Sequence, residues 1–416
     1  MEKCFAVFDL KAFYASVECV ERGLNPFTTP LAVTDVERKE STIVLSVSPY
    51  LKALGVPSRC RRYEIPKDIP NIIYAIPQME KYVKKSAEVL SIFLDYFGAD
   101  DIHVYSIDEC FIYLTPYLKL YKKKPRELCK MIQERILKEL KLTTTCGIGP
   151  NMFLAKVADD KDAKTQPDFI AEWTKEDIPN KLWKISPVSG LWGISTGYQK
   201  RLNKLGIFSI YDLAHADKEL LIEKFGIMGE ELWDHANGID NTDIREKYIV
   251  LNKNFSLGQV LMKDYKKEEI ILIIKEMCDD LSSRLRSYNY EAKNVHLFVR
   301  YTFAQEGGFA HQCELMRPTN ANSELFDGLL HLYNTYVKDD GLIRQIGISF
   351  TKLSHPKNKQ LTLFQDVDDE IMTTELYETL DEIQKEYGKN SITRSSALLK
   401  YSTAKIRHNQ IGGHRK

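Results

Sequence analysis

The sequence predicts an α+β multidomain protein, and three observations carry that expectation. Strand-like runs interleave with amphipathic stretches as far as about residue 168, the pattern of one mixed sheet covered by helices. From Lys175 to Gly238 the pattern is helical, punctuated by Gly190, Gly193, Gly197, Gly206, Gly226 and Gly229. Residues 251 to about 353 return to mixed character. At about 150 residues per domain, 416 residues allow two to four domains with ample material for buried cores.

Cys4 to Leu10 reads as a fully buried strand, followed by a helix from Ala12 to Arg22 with Phe13, Val17 and Val20 on one side. Ile43 to Val47 is a second strand-like run. Ser48-Pro49 then opens a short helix, a capping serine before a proline at the first helical position, and Gly55 stops it. Met79 to Phe97 is a long helix. Between Asp101 and Thr115 two β-rich runs flank Asp108-Glu109, a tight hairpin with carboxylates at its bend. Glu127 to Leu140 is helical, Thr143 to Ile148 a strand, and Pro150 to Val157 another helix. Asp240 to Val250 reads as a polar linker. Beyond it come a helix at Glu268–Ser287 and strands at Val295–Tyr301 and Gly347–Leu353, with a turn at Gly307-Gly308.

Lys plus Arg number 58 and Asp plus Glu number 58, so a nucleic-acid partner would have to be met by local patches rather than by global charge. Charge is segregated at the C-terminus: Asp366 to Glu386 holds nine acids and one base, and Lys389 to Lys416 seven bases and no acid. Such tails are expected to be solvated or partner-binding. Met1 leads straight into the first strand without a signal-peptide pattern, and the longest aliphatic run, Ile270 to Ile274, is far short of a membrane span. The eight cysteines form no C-x-x-C pair, so reduced core thiols and a cytoplasmic location are expected.

Asp9 ends a buried strand, and Asp108 and Glu109 sit at a hairpin bend on a neighbouring one. Three carboxylates converging on one sheet edge repel unless cations neutralise them, and oxygen-only sites suit Mg²⁺ or Mn²⁺. Two such ions about 4 Å apart activate a hydroxyl nucleophile and stabilise a pyrophosphate leaving group. The competing reading on spacing alone is that Asp9 caps a helix and Asp108-Glu109 merely make a turn.

The flanking residues decide between them. Asp9-Leu-Lys-Ala-Phe-Tyr-Ala-Ser-Val-Glu18 and Tyr105-Ser-Ile-Asp-Glu-Cys-Phe111 resemble two hallmarks of the Y-family, lesion-bypass DNA polymerases. Agreement continues in order through Ser48-Pro-Tyr-Leu-Lys-Ala-Leu-Gly-Val-Pro57, Gly147-Ile-Gly-Pro-Asn-Met-Phe-Leu-Ala-Lys156 with Lys164, Leu191-Trp-Gly-Ile-Ser-Thr-Gly197 and Arg284-Leu-Arg286. The resemblance covers about residues 3 to 355, and its C-terminal part is most similar to the UmuC-like branch of Gram-positive bacteria and their mobile elements.

The resemblance implies a right-hand polymerase. Its palm would span 1–168 with fingers inserted at about 23–76, and a helix-hairpin-helix thumb would span 169–240. A linker at 241–250 would lead to an α/β little finger at 251–358. The remainder, 359–416, would hold a clamp-binding motif, an acidic helix and a basic tail. Asp9, Asp108 and Glu109 would ligate two Mg²⁺ ions, with Mn²⁺ as a substitute and the Leu10 carbonyl as an added ligand. One ion would deprotonate the primer 3′-OH and the other hold the incoming dNTP. Tyr14 falls at the steric-gate position, supported by Phe13. Tyr50 and Lys164 match residues that contact the triphosphate. An arginine that the family places three residues after this tyrosine is Ala53 here, and the threonine three before it is Val47; Lys52, Arg59, Arg61 and Arg62 are candidates for the missing charge.

Leu191 to Ile207 fits a helix-hairpin-helix in which Gly193, Thr196 and Gly197 bring backbone N–H groups to a DNA phosphate, a contact blind to sequence; a plain packing turn is the alternative. Phe225-Gly-Ile-Met-Gly229 offers a second hairpin. Residues 251–360 hold 15 bases and 13 acids, so a DNA-gripping domain there must sort its charge between faces. Gln360-Leu-Thr-Leu-Phe364 resembles the clamp-binding peptide of bacterial polymerases, with Leu361, Leu363 and Phe364 as apolar anchors; the alternative is that they pack the next helix.

The expected function is therefore template-directed, error-prone translesion synthesis in the DNA-damage (SOS) response. The expected partners are primer-template DNA, dNTPs and the bacterial sliding clamp, with a UmuD-like subunit left open. No separate exonuclease cluster is visible, so no proofreading is expected. The alternatives are a catalytically inactive DNA-binding accessory of the same fold and a metal-dependent nuclease using the same acids.

Overall fold

The computed structural model describes residues 3–246, 250, 252–356 and 367–416, with the side chains of 367–371 excepted. Phe5–Leu10 forms β1, an apolar run buried on both faces. The chain turns through Ala12, in the left-handed region at φ 51°, into α1 (Phe13–Glu21). Next come β2 (Leu31–Val33), β3 (Ser46–Val47), α2 (Pro49–Ala53) and β4 (Ile73–Ala75). These three strands make a separate small sheet, ordered β3-β2-β4, over a core of Ala32, Val44, Val47, Leu51, Val56 and Ile65. Ser48 caps α2 as expected, its hydroxyl accepting from the Leu51 N–H at 3.3 Å. The strand expected at 43–47 is reduced to Ser46–Val47, and Ile43 makes only an isolated bridge to Arg61.

The chain then runs through α3 (Met79–Leu94), β5 (Ile102–Val104), β6 (Glu109–Tyr113), α4 (Thr115–Tyr121), α5 (Pro125–Leu140), β7 (Thr144–Gly149), α6 (Met152–Lys161) and β8 (Ile170–Glu172). With β1 these strands form a sheet ordered β5-β6-β1-β7-β8, antiparallel except for β7 against β8. The helix expected from Pro150 starts at Met152 instead: Asn151 is the better cap, its side-chain oxygen accepting from the Leu154 N–H at 2.8 Å. Gly147 explains how close α6 lies to β7, since a Cβ there would fall 2.0 Å from the Ala155 carbonyl oxygen.

The helical block comprises α7 (Asp177–Asn180), α8 (Thr196–Asn203), α9 (Ile210–Ala214), α10 (Lys218–Phe225) and α11 (Ile227–Ala236). Residues 241–246, read as linker, are tied down at both sides. The Asp240 carboxylate accepts from the Phe153 N–H at 2.9 Å, and Arg245 donates to Asp101 at 2.6 Å.

Contacts divide the chain into Met1–Lys247 and Tyr248–Lys416. The second unit runs β9 (Phe255–Tyr265), α12 (Lys267–Ser287), β10 (Glu291–Tyr301), β11 (Gly308–Thr319), α13 (Asn322–Tyr336) and β12 (Ile343–Ser354), in an antiparallel sheet ordered β11-β10-β12-β9. Each helix thus connects two strands that leave one slot between them, which a strand of the other half fills. The inward residues of the sheet pack on Ile270, Ile274, Met277, Leu281, Leu325 and Leu329.

The C-terminal segment, expected to be solvated or partner-binding, docks on the second unit's own α12. After α14 (Val367–Tyr387) come α15 (Ala404–His408) and a hairpin of β13 (Gln410–Ile411) and β14 (His414–Arg415). Arg394 pairs with Asp279 at 2.7 Å, Arg407 with Asp280 at 2.8 Å, and the Thr403 N–H donates to buried Glu276 at 3.0 Å. The basic segment is bound to the acidic face of α12, because buried carboxylates there need compensating charge.

Candidate active site

The β1–β6 register sets Asp9 directly opposite Glu109. Asp108 adjoins them: its backbone carbonyl accepts from the Leu10 N–H at 2.9 Å, and its carboxylate accepts from the Ser106 hydroxyl at 2.7 Å. The Tyr105 and Ser106 N–H groups both point at the Glu109 carbonyl, which closes the bend that presents the acids. On the other side of β1, Asp9 faces Thr145 of β7, and the Lys11 N–H donates to the Thr143 carbonyl at 2.9 Å. The end of β1 is therefore fixed from both neighbours.

Two lysines neutralise this edge. Lys156 of α6 pairs with Glu109 and, at 3.1 Å, with Asp160. Lys164 lies 3.2 Å from Asp9, 2.8 Å from Asp160 and 3.6 Å from Asp159. Burial raises the Asp9 carboxyl against the pull of Lys164 and Lys156, with Asp108 adding to the rise. Burial likewise raises Glu109 against Lys156. Burial pushes Asp159 up to about 7, with Lys164 opposing. Burial would raise Asp160 too, but Lys156 and Lys164 override it and hold its carboxyl below the usual range. A set of hard oxygen donors this crowded and partly buried fits divalent cations.

Among the described residues, the three acids whose oxygens lie closest together are Asp9, Asp159 and Asp160, all within 4.8 Å, rather than Asp9, Asp108 and Glu109. The reason is the cation between them, since Lys164 reaches all three. The sequence carried a signal for this that went unread. Lys156, Asp160 and Lys164 recur every four residues, so they share one face as the chain leaves α6.

Tyr14 lies in the first turn of α1, where the Asp108 charge reaches it. Burial raises its hydroxyl pKa first, then the Asp108 charge, with Arg59 opposing. Its ring stacks on Tyr82 at 4.5 Å and 19°, and Phe13 lies 5.6 Å away. Tyr82 is held in turn by buried Glu18, which accepts its hydroxyl at 2.8 Å. The ring is thus fixed by packing rather than free to rotate.

The triphosphate candidates separate. Tyr50 lies half-buried against the small core around α2. Lys52 feels the acids: burial lowers its pKa, Asp9 and Asp108 oppose that, and Lys164 adds to it, while the charge of Arg59 acts on Tyr14. Arg61 donates to the Ser41 carbonyl at 3.0 Å, and Arg62 is taken by Glu40 and by the Val36 carbonyl.

The first hairpin differs from expectation. The element leading directly into Gly193 (φ 86°) is a single 3₁₀ turn at Val188–Gly190 rather than a full helix. Ser195 caps α8, with Thr196 and Gly197 in its first turn. The second hairpin has two full helices, α10 and α11, around Gly226 at φ 65°. Gly229 is required there, as a Cβ would fall 2.0 Å from the Leu221 carbonyl oxygen. Gln360, Leu361, Leu363 and Phe364 lie outside the described residues.

Residues 8–160 match the impB/mucB/samB family model and residues 252–363 its C-terminal domain. The chain belongs to that family, the UmuC-like Y-family polymerases. It is 36% identical over 410 residues to the putative UV-damage repair protein UvrX of Bacillus subtilis, covering 98% of this chain and 96% of that one. It is 32% identical to DNA polymerase IV 2 of the same organism, covering 100% and 99%. Among solved structures, a Y-family DNA polymerase chimera of Dbh and Dpo4 superposes with a TM-score of 0.67 at 20% identity, over 85% of this chain and 100% of that one. That likeness establishes the right-hand polymerase fold.

Proposed function

We propose that this Y-family polymerase carries out template-directed, error-prone translesion synthesis without proofreading, by nucleotidyl transfer at the edge formed by Asp9, Asp108 and Glu109. The observation that supports this best is the register of Asp9 opposite Glu109 with Asp108 beside them, three carboxylates at one strand end. In this reading the five-stranded sheet is the palm, the small sheet the fingers, the helical block the thumb and the second unit the little finger.

The primer 3′-oxygen forms a bond to the α-phosphorus of the dNTP, the bond to the pyrophosphate oxygen breaks, and the hydroxyl proton leaves to solvent. Asp9, Asp108 and Glu109 would hold two Mg²⁺ ions, which would supply Lewis-acid activation of the hydroxyl and charge neutralisation of the leaving group. Lys164 and Lys52 bring positive charge to the triphosphate, and Tyr14, backed by Tyr82, fills the volume that a ribose 2′-OH would need. The glycine hairpins at Gly193–Gly197 and Gly226–Gly229 offer backbone N–H groups to DNA phosphates.

Primer extension with Mg²⁺ and dNTPs tests the reading. Asp108→Ala and Glu109→Ala should each lower extension by at least about 10³-fold while primer-template affinity stays within about threefold, since each loses transition-state stabilisation rather than uniform binding. Extension by either variant near the parental rate would remove the assignment. Shortening of the primer by the parent chain would indicate a nuclease instead.

A further inference from the structure

Asp159 and Asp160 are acids at this edge that the proposed reaction leaves without a role, and Asp159 is the buried one. It lies on α6 with its residue fully buried. Its place follows from Gly147: a Cβ on Gly147 would fall 2.4 Å from the Asp159 N and 2.8 Å from its Cβ, so the helix is pressed against β7 at this point. One carboxylate oxygen accepts the Thr145 hydroxyl at 2.5 Å, and Thr145 is the residue opposite Asp9 in the sheet. The other oxygen is sealed from solvent, accepts no hydrogen bond, and lies 3.6 Å from the Lys164 ammonium. A buried carboxylate left this way is costly unless a charge faces it.

Lys164 itself is 40% exposed, on a long flexible stem at the rim of the site. An exposed pair such as Lys164 with Asp160 gains little, because water screens it and the side chain loses entropy. A countercharge beneath the site acts through a lower dielectric and so fixes the ammonium more strongly per unit distance. Asp9 has another task in the reaction, so Asp159 and Asp160 are the anchors left to Lys164.

We propose that Asp159 is a positioning residue for nucleotide binding: from beneath the sheet edge it holds the Lys164 ammonium at the rim, where the triphosphate of an incoming nucleotide meets it. The proposal rests on reading Lys164 as a triphosphate contact. A third cation bound among Asp9, Asp159 and Asp160 is the rival, but Lys164 is already the positive charge among their oxygens.

The test is single-nucleotide incorporation by the full chain. Asp159→Asn keeps the volume and keeps an oxygen for Thr145. It should raise KM for dNTP by about tenfold with kcat changed less than about threefold, the signature of lost binding rather than lost chemistry. Lys164→Ala should raise KM by at least as much, and the double variant should be no worse than Lys164→Ala alone. Asp159→Ala, which leaves no amide to satisfy, should give the same KM shift and guards against a folding defect in the first variant. An unchanged KM in both Asp159 variants beside a raised KM in Lys164→Ala overturns the proposal but spares the reading of Lys164. Additive effects in the double variant also overturn it. A higher Mg²⁺ requirement, with KM at saturating Mg²⁺ unchanged, would put a cation rather than Lys164 on Asp159 and overturn it. An unchanged KM in Lys164→Ala removes both.

Discussion

Two of the four basic candidates near α2 have partners away from the acids. Of the basic residues near α2, Arg61 and Arg62 spend their guanidinium groups on Ser41, Glu40 and Val36, while Lys52 shares its electrostatic surroundings with Asp9, Asp108 and Lys164. Lys52→Ala should therefore raise KM for dNTP about tenfold, the order expected for losing one charge-assisted contact, while Arg62→Ala stays within about twofold. A larger effect at Arg62 in steady-state incorporation would reverse the choice. Tyr14 is the other residue whose role is narrow enough to isolate. Its ring is fixed by Tyr82 and Phe13, so removing it opens space without unseating the acids. Tyr14→Ala should lower discrimination against ribonucleotides by at least about 10²-fold, a differential effect that only a side chain placed against the sugar can produce. The ratio of rNTP to dNTP kcat/KM reads it directly, and an unchanged ratio would assign the gate to another residue.

At the scale of elements, β1, α1, the carboxylate hairpin and the α2 cap were legible because each carries a local signal: a closed apolar run, a capping serine before proline, or acids at a bend. The strand at Phe255–Tyr265 and the helix at Asn322–Tyr336 were not, since their apolar residues gain meaning only against partners far along the chain. The tail was misread for the same reason. Its seven bases read as solvated or partner-binding, and the acids that pair with Arg394 and Arg407 lie more than a hundred residues earlier on α12. Burial alone would raise the Asp280 carboxyl, but His408, Arg407 and Lys389 together hold it below its ordinary value. A depressed carboxyl stabilises above its unfolded pKa of about 3.9 and loses that contribution as pH falls through the folded value. The tail should thus stay docked across neutral pH and release only in acid, below about pH 4. Arg407→Ala removes one charged partner from both Glu276 and Asp280, which costs about 3 kcal/mol by analogy with broken buried pairs. For a unit of this size that is a drop of about 9 °C in Tm, measurable by calorimetry, whereas a drop under about 2 °C would show the tail to be a loose attachment.

For the molecule as a whole, every residue assigned to chemistry lies in Met1–Lys247, while Tyr248–Lys416 has its own core and carries none of the proposed catalytic groups. Recruitment is then the natural task for sequence in the second unit, and Gln360 to Phe364 falls between the end of β12 at Ser354 and the start of α14 at Val367. A five-residue segment with one amide and three apolar side chains can place Leu363 and Phe364 in an apolar pocket while Gln360 hydrogen-bonds at its rim. Burying those two side chains gains roughly 1.5–3 kcal/mol each before ordering costs, which supports micromolar binding to a sliding clamp. Because none of the residues assigned to chemistry lies in this segment, its loss should leave chemistry intact. Leu363→Ala with Phe364→Ala should abolish stimulation of synthesis by the bacterial clamp, with unstimulated extension of short primers unchanged. If the double variant binds the clamp as well as the parent chain in a pull-down, the docking residues lie elsewhere. Loss of unstimulated extension as well would mean that Leu363 and Phe364 pack the second unit itself.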